Sequence, residues 1–207
     1  MRRLIMVLLL IVAPFQFIMP AAFAEDKSPW LVRLRLIDIA PNESSTVSIG
    51  GAVTADIAVV PELDITYFWT DNIATELILA TSKHTVGAVG TALGDLDLGT
   101  IWVLPPTLLL QYHLNPDGRF RPYIGAGLNY TLYYNGTSGD LDSVEYDNDL
   151  GFAFQAGLDI GINDNWAFNI DVKKIYLNSN ARINGGAVTA DVSLDPWVFG
   201  AGLAYRF

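Results

Sequence analysis

The chain has 207 residues, 51% of them hydrophobic and 12% aromatic, with no cysteine and a formal charge of −10. Apolar residues spread along its whole length exclude a disordered polymer. The absence of cysteine excludes a disulfide scaffold and thiolate metal sites, and two histidines leave little for an imidazole cluster. The acidic balance argues against nonspecific nucleic-acid binding.

The N-terminus reads as an address. Arg2 and Arg3 precede an unbroken apolar stretch from Leu4 to Val12, and Ala22-Phe23-Ala24 is followed by Glu25-Asp26. This is the pattern of a secretory signal peptide over residues 1–24, cleaved near Ala24. Pro14 and Pro20 break the apolar segment, which is shorter than the ~20 residues of a spanning helix. The expected mature chain is 25–207, one domain. Without Arg2 and Arg3 it keeps ten basic against 22 acidic side chains, a charge of −12.

From Trp30 onward the sequence alternates with period two. Eight segments do so: 30–39, 63–69, 73–79, 108–114, 124–132, 152–162, 166–172 and 197–207. In the last, Trp197, Phe199, Ala201, Leu203, Tyr205 and Phe207 share one parity, and Val198, Gly200, Gly202, Ala204 and Arg206 the other. Large apolar residues on one face and small or polar ones on the other describe a barrel in lipid, read inside out. A soluble sandwich would show Lys-, Glu- and Thr-rich outer faces, and no segment offers one. Thr70-Asp71-Asn72, Asn115-Pro116-Asp117-Gly118 and Asn163-Asp164-Asn165 are tight turns. They alternate with long Gly-rich or acidic loops at about 40–61, 85–102, 135–148 and 179–192. Three short turns and four long loops make eight antiparallel strands, an all-β transmembrane barrel of the outer-membrane type in a Gram-negative envelope. Trp30, Trp69, Trp102, Tyr112, Tyr123, Tyr134, Trp166, Tyr176, Trp197 and Tyr205 are the expected interfacial girdles. Outer-membrane lipid and lipopolysaccharide are then its surroundings, and the terminal Phe207 reads as the signal taken by the barrel-assembly machinery.

The segments also carry a family resemblance. Thr70-Asp71-Asn72-Ile73 with Glu76-Leu77, Leu104-Pro105-Pro106-Thr107 with Gln111-Tyr112, the run from Phe120 to Thr131, Leu194-Asp195-Pro196-Trp197-Val198-Phe199 and the closing Tyr205-Arg206-Phe207 stand in order along the chain. In these it resembles the outer membrane protein W family (OmpW/AlkL-like). The resemblance implies an eight-stranded barrel whose lumen passes small hydrophobic molecules across the outer membrane.

Sorting the inward parity by height divides the lumen. The outer end collects Ile37, Ile39, Val60, Ile78, Tyr133, Ile175, Leu177 and Val198, an apolar mouth. Below them come Arg33, Arg35, Asp64, Glu76, Asp159, Asp171, Lys173 and Arg206, with Gln111, His113 and Asn169, a belt of both signs that pairs across a narrow barrel. The expected function is a passive channel: an apolar molecule enters the mouth, stops at the belt and leaves sideways into the bilayer. Proline weakens a strand ladder, so Pro61, Pro105, Pro106 and Pro196 mark the candidate lateral opening, and Pro105→Val or Pro196→Val is expected to slow apolar uptake. The alternative is a non-transporting barrel for envelope stability, reception or adhesion, with the belt as a solid core.

Lys173 departs from the apolar constriction that the resemblance implies. Either it pairs with Asp171 or Glu76, or a bulge at Lys173-Lys174 turns it away. Lys174, on the lipid face, is expected to snorkel to the interface. The acidic run Asp140, Asp142, Glu145, Asp147 and Asp149 reads as a solvated loop, with a divalent cation shared with lipopolysaccharide as the other reading. Catalytic roles for His84 and His113 are weighed against a place for His113 in the polar lumen. Gly125-Ala126-Gly127 lies mid-strand without the third glycine of a dinucleotide site, Tyr130 standing there, so its glycines are read as relieving crowding. No G-x-S-x-G occurs. No enzyme activity, metal, cofactor or nucleic-acid partner is expected.

Overall fold

A computed structural model describes residues 28–40, 44–139 and 141–207. The signal-peptide reading and Asp140 lie outside these residues. The described strands are β1 (Trp30–Ala40), β2 (Ser44–Val47), β3 (Ala52–Ala55), β4 (Ala58–Phe68), β5 (Ile73–Ala80), β6 (Ser82–Thr91), β7 (Gly94–Leu104), β8 (Thr107–His113), β9 (Phe120–Tyr134), β10 (Val144–Tyr146), β11 (Asp149–Gly161), β12 (Trp166–Tyr176), β13 (Asn178–Ile183), β14 (Val188–Ser193) and β15 (Trp197–Arg206).

Eight of them run in the order β11-β12-β15-β1-β4-β5-β8-β9, and a β9–β11 ladder closes the ring. Every pairing is antiparallel, and ring closure gives each of the eight strands a hydrogen-bonded neighbour on both sides. The alternation decides which face is wet. Leu36, Leu110 and Phe152 are 64%, 61% and 62% exposed, while Arg33, Glu76 and Asn169 are at 0%. Polar residues fill the inside, and leucine, isoleucine and phenylalanine face outward, as hydrocarbon requires.

Local chemistry closes the short turns. Asn163 Oδ1 accepts from the amides of Asn165 and Trp166, and Thr70 Oγ1 from those of Asn72 and Ile73. Asn115 donates to the Phe120 carbonyl. These Asx and hydroxyl bonds satisfy the backbone where two strands reverse.

The segments expected as long loops are largely strands. The hairpin β6–β7 rises from β5, β3 lies along β6, and β7 rejoins the wall on β9 through Trp102↔Tyr134 and Leu104↔Leu132. A second sheet, β10-β13-β14-β2, stands beside them. They share an apolar core of Val47, Val53, Val86, Ala88, Leu98, Ile101, Ala181, Ile183 and Ala190. Each strand brings only one or two apolar residues to it. No single segment carries a long alternation, and the glycine content reads as loop.

The girdle reading holds for Trp30, Trp69, Tyr112, Trp166, Tyr176 and Trp197, all exposed at strand ends. It fails for Tyr123, which is 1% exposed and sits inside the barrel. Tyr123 has the parity of Gly125 and Gly127, so the alternation overrules its position near a strand end. Trp102 and Tyr134 pack ring against ring in a tilted pair, centroids 6.1 Å apart, at the foot of the β6–β7 hairpin.

Candidate functional site: an apolar cavity on a charged plug

The site is built from inward-facing residues, two apart on each strand. On β1, Arg33 and Arg35 point into the lumen and are fully buried. Arg33 meets Glu76 of β5 at 2.6 Å and grips Asp159 of β11 with two nitrogens, at 2.7 and 3.2 Å. Its guanidinium lies 4.7 Å from the centre of the Tyr123 ring. Arg35 pairs with Asp64 and with Glu62 (2.9 Å), contacts Asp171 at 3.3 Å and donates to Asn169 at 3.0 Å. Lys173 of β12 donates to Asp171 at 2.6 Å and to Glu62 at 2.7 Å. Gln111 and Gln155 each donate to Glu76, at 2.7 and 2.9 Å. Asn169 donates to Asp159 at 2.7 Å and to the Tyr123 hydroxyl at 3.0 Å. Seven of the eight barrel strands, all but β15, thus meet in one network. Such a network is stable only because each buried charge finds partners.

The structure therefore brings together Arg33, Arg35, Asp64, Glu76, Asp159, Asp171 and Lys173. Arg206 is the exception. It pairs in register with Leu31, two and four residues below Arg33 and Arg35, roughly 7 and 13 Å lower at ~3.3 Å per residue. There it donates to the Ser28 carbonyl at 3.0 Å and lies 4.1 Å over the Phe68 ring. The reason is height: parity places it inside, but its position next to the chain end keeps it at the periplasmic rim. Glu62 and Tyr123 were missed as network members. Glu62 shares the parity of Asp64 and stands just before the point where the apolar alternation of its strand becomes visible. His113 lies in the polar lumen, 3.2 Å from Gln111 and stacked on Tyr123 at 5.1 Å.

Above the plug the inward side chains turn apolar. Ile37, Ile78, Leu109, Ala153, Ile175, Leu177 and Val198 form a buried cluster, with Ile39, Val60 and Ala80 packed against it. All of these but Leu109, Ala153 and Val60 line a cavity of about 120 Å³, whose upper wall includes Tyr133 and Tyr146 and whose lining includes Glu62 and Lys173. All eight residues expected at the mouth lie here, Val60 in the packing around the cavity and the others in its lining. The mouth is roofed by the β2-β3-β6-β7-β13-β14 core instead of opening directly to water. Burial and the neighbouring Tyr133 phenol push the Tyr146 hydroxyl up to about 12, so it stays neutral in the roof.

With this geometry in place, similarity to known proteins becomes informative. The OmpW family model matches residues 27–207. The chain belongs to the OmpW family. It is 42% identical over 192 residues to the outer-membrane protein y4mB of Sinorhizobium fredii, covering 89% of this chain and 82% of that one. It is 30% identical over 190 residues to the dibenzothiophene metabolism operon protein PahQ of Pseudomonas aeruginosa, covering 88% and 90%. Among solved structures it is similar to the outer membrane protein OprG of Pseudomonas aeruginosa, with 30% identity, a TM-score of 0.82, and coverage of 87% of this chain and 97% of that one. This OmpW-family chain is thus an eight-stranded barrel of the Gram-negative outer membrane.

Two seams of the barrel are interrupted beside the cavity. The β4–β5 ladder ends upward at Glu62↔Ala80, just below Pro61, and the next ladder on that side starts at Ala55↔Val86. Between them the connection is carried by Asp56, whose carbonyl meets His84 Nδ1 at 3.0 Å and whose carboxylate accepts the Thr85 amide. His84 Nε2 lies 2.8 Å from Ser82 Oγ, so this histidine serves as a clasp across the seam. On the other side of β5 the ladder ends at Ile78↔Thr107 and resumes only at Ser82↔Val103, with Pro105 and Pro106 opposite the gap. Pro61, Pro105 and Pro106 thus flank the same strand tip. Pro196 does not. The β12–β15 ladder passes it through the Ile175 amide to Pro196 carbonyl bond (3.2 Å) and continues through Leu194 to Leu177.

The β11–β12 register runs without a shift through Gln155↔Lys173 and Phe154↔Lys174. Pairing, not a bulge, accommodates Lys173. Lys174 faces outward, bonds the Asp195 carbonyl and lies between the rings of Tyr176 and Trp197, at 5.5 and 5.1 Å. Asp147 of the acidic segment pairs with exposed Arg182. No group of three or more acidic or histidine side chains converges as metal ligands among the described residues.

Proposed function

We propose that this barrel is a passive outer-membrane channel for small hydrophobic molecules. A solute passes through the roof hairpins into the apolar cavity. It cannot continue downward, because crossing the plug would mean separating buried ion pairs at several kcal/mol each. It leaves sideways at the tip of β5 into the bilayer. The observation that carries this reading is the placement of an apolar cavity on a packed charged floor, beside two interrupted seams. The relative whose name refers to dibenzothiophene metabolism supports it. In this reading the protein has no enzymatic role, its partners are lipid, lipopolysaccharide and the solute, and Phe207 is its handle for the assembly machinery.

The test is entry of a labelled medium-chain alkane into whole cells with and without the protein, alongside a hydrophilic solute of similar size. Faster alkane entry with unchanged polar entry is the expected result. Faster entry of both would mean that the belt is no plug. No change in either would favour the non-transporting barrel, for which the fully packed lumen floor is the supporting feature.

A further inference from the structure

The cavity floor is not apolar. Lys173 and Glu62 both line it, and both are 2% exposed. The Lys173 ammonium has three N–H donors. Two are used, on Glu62 Oε1 and Asp171 Oδ1. Glu62 Oε1 is shared by Lys173 and Arg35, while Oε2 takes no partner among the described residues. One spare donor and one spare acceptor therefore stand side by side at the bottom of an otherwise apolar chamber. The network around them also has a sign: three cations, Arg33, Arg35 and Lys173, face five carboxylates, Glu62, Asp64, Glu76, Asp159 and Asp171.

We propose that the cavity recognises apolar molecules bearing one neutral hydroxyl, the hydroxyl oxygen accepting from Lys173 and its proton given as a hydrogen bond to Glu62 Oε2. A hydroxyl is both acceptor and donor, which matches the two spare groups. A carboxylate head meets a network with two more carboxylates than cations and has no proton to give Glu62, and an ammonium head has no lone pair to accept from Lys173. A pure hydrocarbon fits the walls but leaves both floor groups unmade, and an unmade bond in a closed site is costly. The volume sets the size. An apolar cavity of ~150 Å³ holds benzene, so about 120 Å³ suits one ring or a short chain, with any remainder reaching toward the roof or the seam. The inference rests on the channel reading above and deepens it by naming the head group.

The test is ¹⁹F NMR titration of the purified barrel in lipid nanodiscs with fluorobenzene, 4-fluorophenol and 4-fluorobenzoate, each corrected for partition into protein-free discs. The expected order is 4-fluorophenol about tenfold tighter than fluorobenzene, and 4-fluorobenzoate weakest. The paired substitution Glu62→Met with Lys173→Met removes one charge of each sign. It is expected to abolish the phenol preference, 4-fluorophenol then binding no tighter than fluorobenzene. If fluorobenzene binds wild type as tightly as 4-fluorophenol, or if the preference survives the paired substitution, the head-group inference is overturned while the channel reading stands. If no compound binds above the empty discs, and Ile78→Trp, which fills the cavity, changes nothing, the apolar cavity reading falls with it. Should the paired variant not fold, the wild-type order alone decides between these outcomes.

Discussion

Arg33 shows what a single inward residue does in this barrel. It satisfies Glu76 and Asp159 together, and both are buried. Arg33→Met leaves Asp159 without its cation and Glu76 with only the 3.9 Å contact to Arg35, and breaking a buried pair in this way costs about 3–5 kcal/mol. The urea midpoint in detergent should drop accordingly, and Asp159→Asn in the same chain should recover part of the loss by removing one of the stranded charges. Gly157 is a second such position. A Cβ there would sit 2.2 Å from the Tyr123 ring, which is itself locked by Asn169 and Arg35. Gly157→Ala is expected to destabilise the barrel by about 1–3 kcal/mol through overpacking, read from the same urea series. Gly125 does relieve lumen crowding, beside Gln111 and Gln155, whereas Gly127 admits the Leu108 carbonyl of the neighbouring strand. Parity alone identified most inward residues, because a strand in a closed barrel has only two faces. It left the partners open, since Arg33 and Asp159 are 126 positions apart.

At the level of elements, the tip of β5 is the place where the wall is least closed. The Tyr130 amide donates to the Pro106 carbonyl, and Asn129 and Thr107 donate to the Pro105 carbonyl, so both prolines are tied to β8 and β9 and stand opposite the gap in the β5 ladder. Pro105→Val restores an N–H there and is expected to slow alkane uptake several-fold. Pro196→Val adds nothing to a ladder already continuous with β12 and should leave uptake at the wild-type rate. Equal slowing by both would point to a general effect on the barrel, and no slowing by Pro105→Val would remove the seam from the pathway. The three short turns were legible because their Asn, Asp and Gly residues act locally. The outer hairpins were not. Their strands are stabilised by a core assembled from six separate strands, β2, β3, β6, β7, β13 and β14, and that sum is invisible in any one of them.

For the whole molecule, the outward tryptophans set the position in the bilayer. Trp30, Trp69, Trp166 and Trp197 are exposed at strand ends, where amphipathic rings favour the interface. Their fluorescence should be quenched more strongly by lipids brominated near the headgroup than by lipids brominated at the chain terminus; the reverse order would displace the barrel from this register. The sequence by itself determined the eight-stranded alternation, the side of the wall on which each residue falls, the apolar and charged levels of the lumen, and the family. These follow from period-two geometry and from the need of every lipid-facing position to be apolar. Only the tertiary structure decided which charges pair, that Arg206 stays below the plug while Glu62 and Tyr123 join it, that the long connections roof the cavity, and that Pro105 but not Pro196 stands at an interrupted seam. Those outcomes depend on strand stagger and ring closure, which fix the height of each residue against partners far away in the chain.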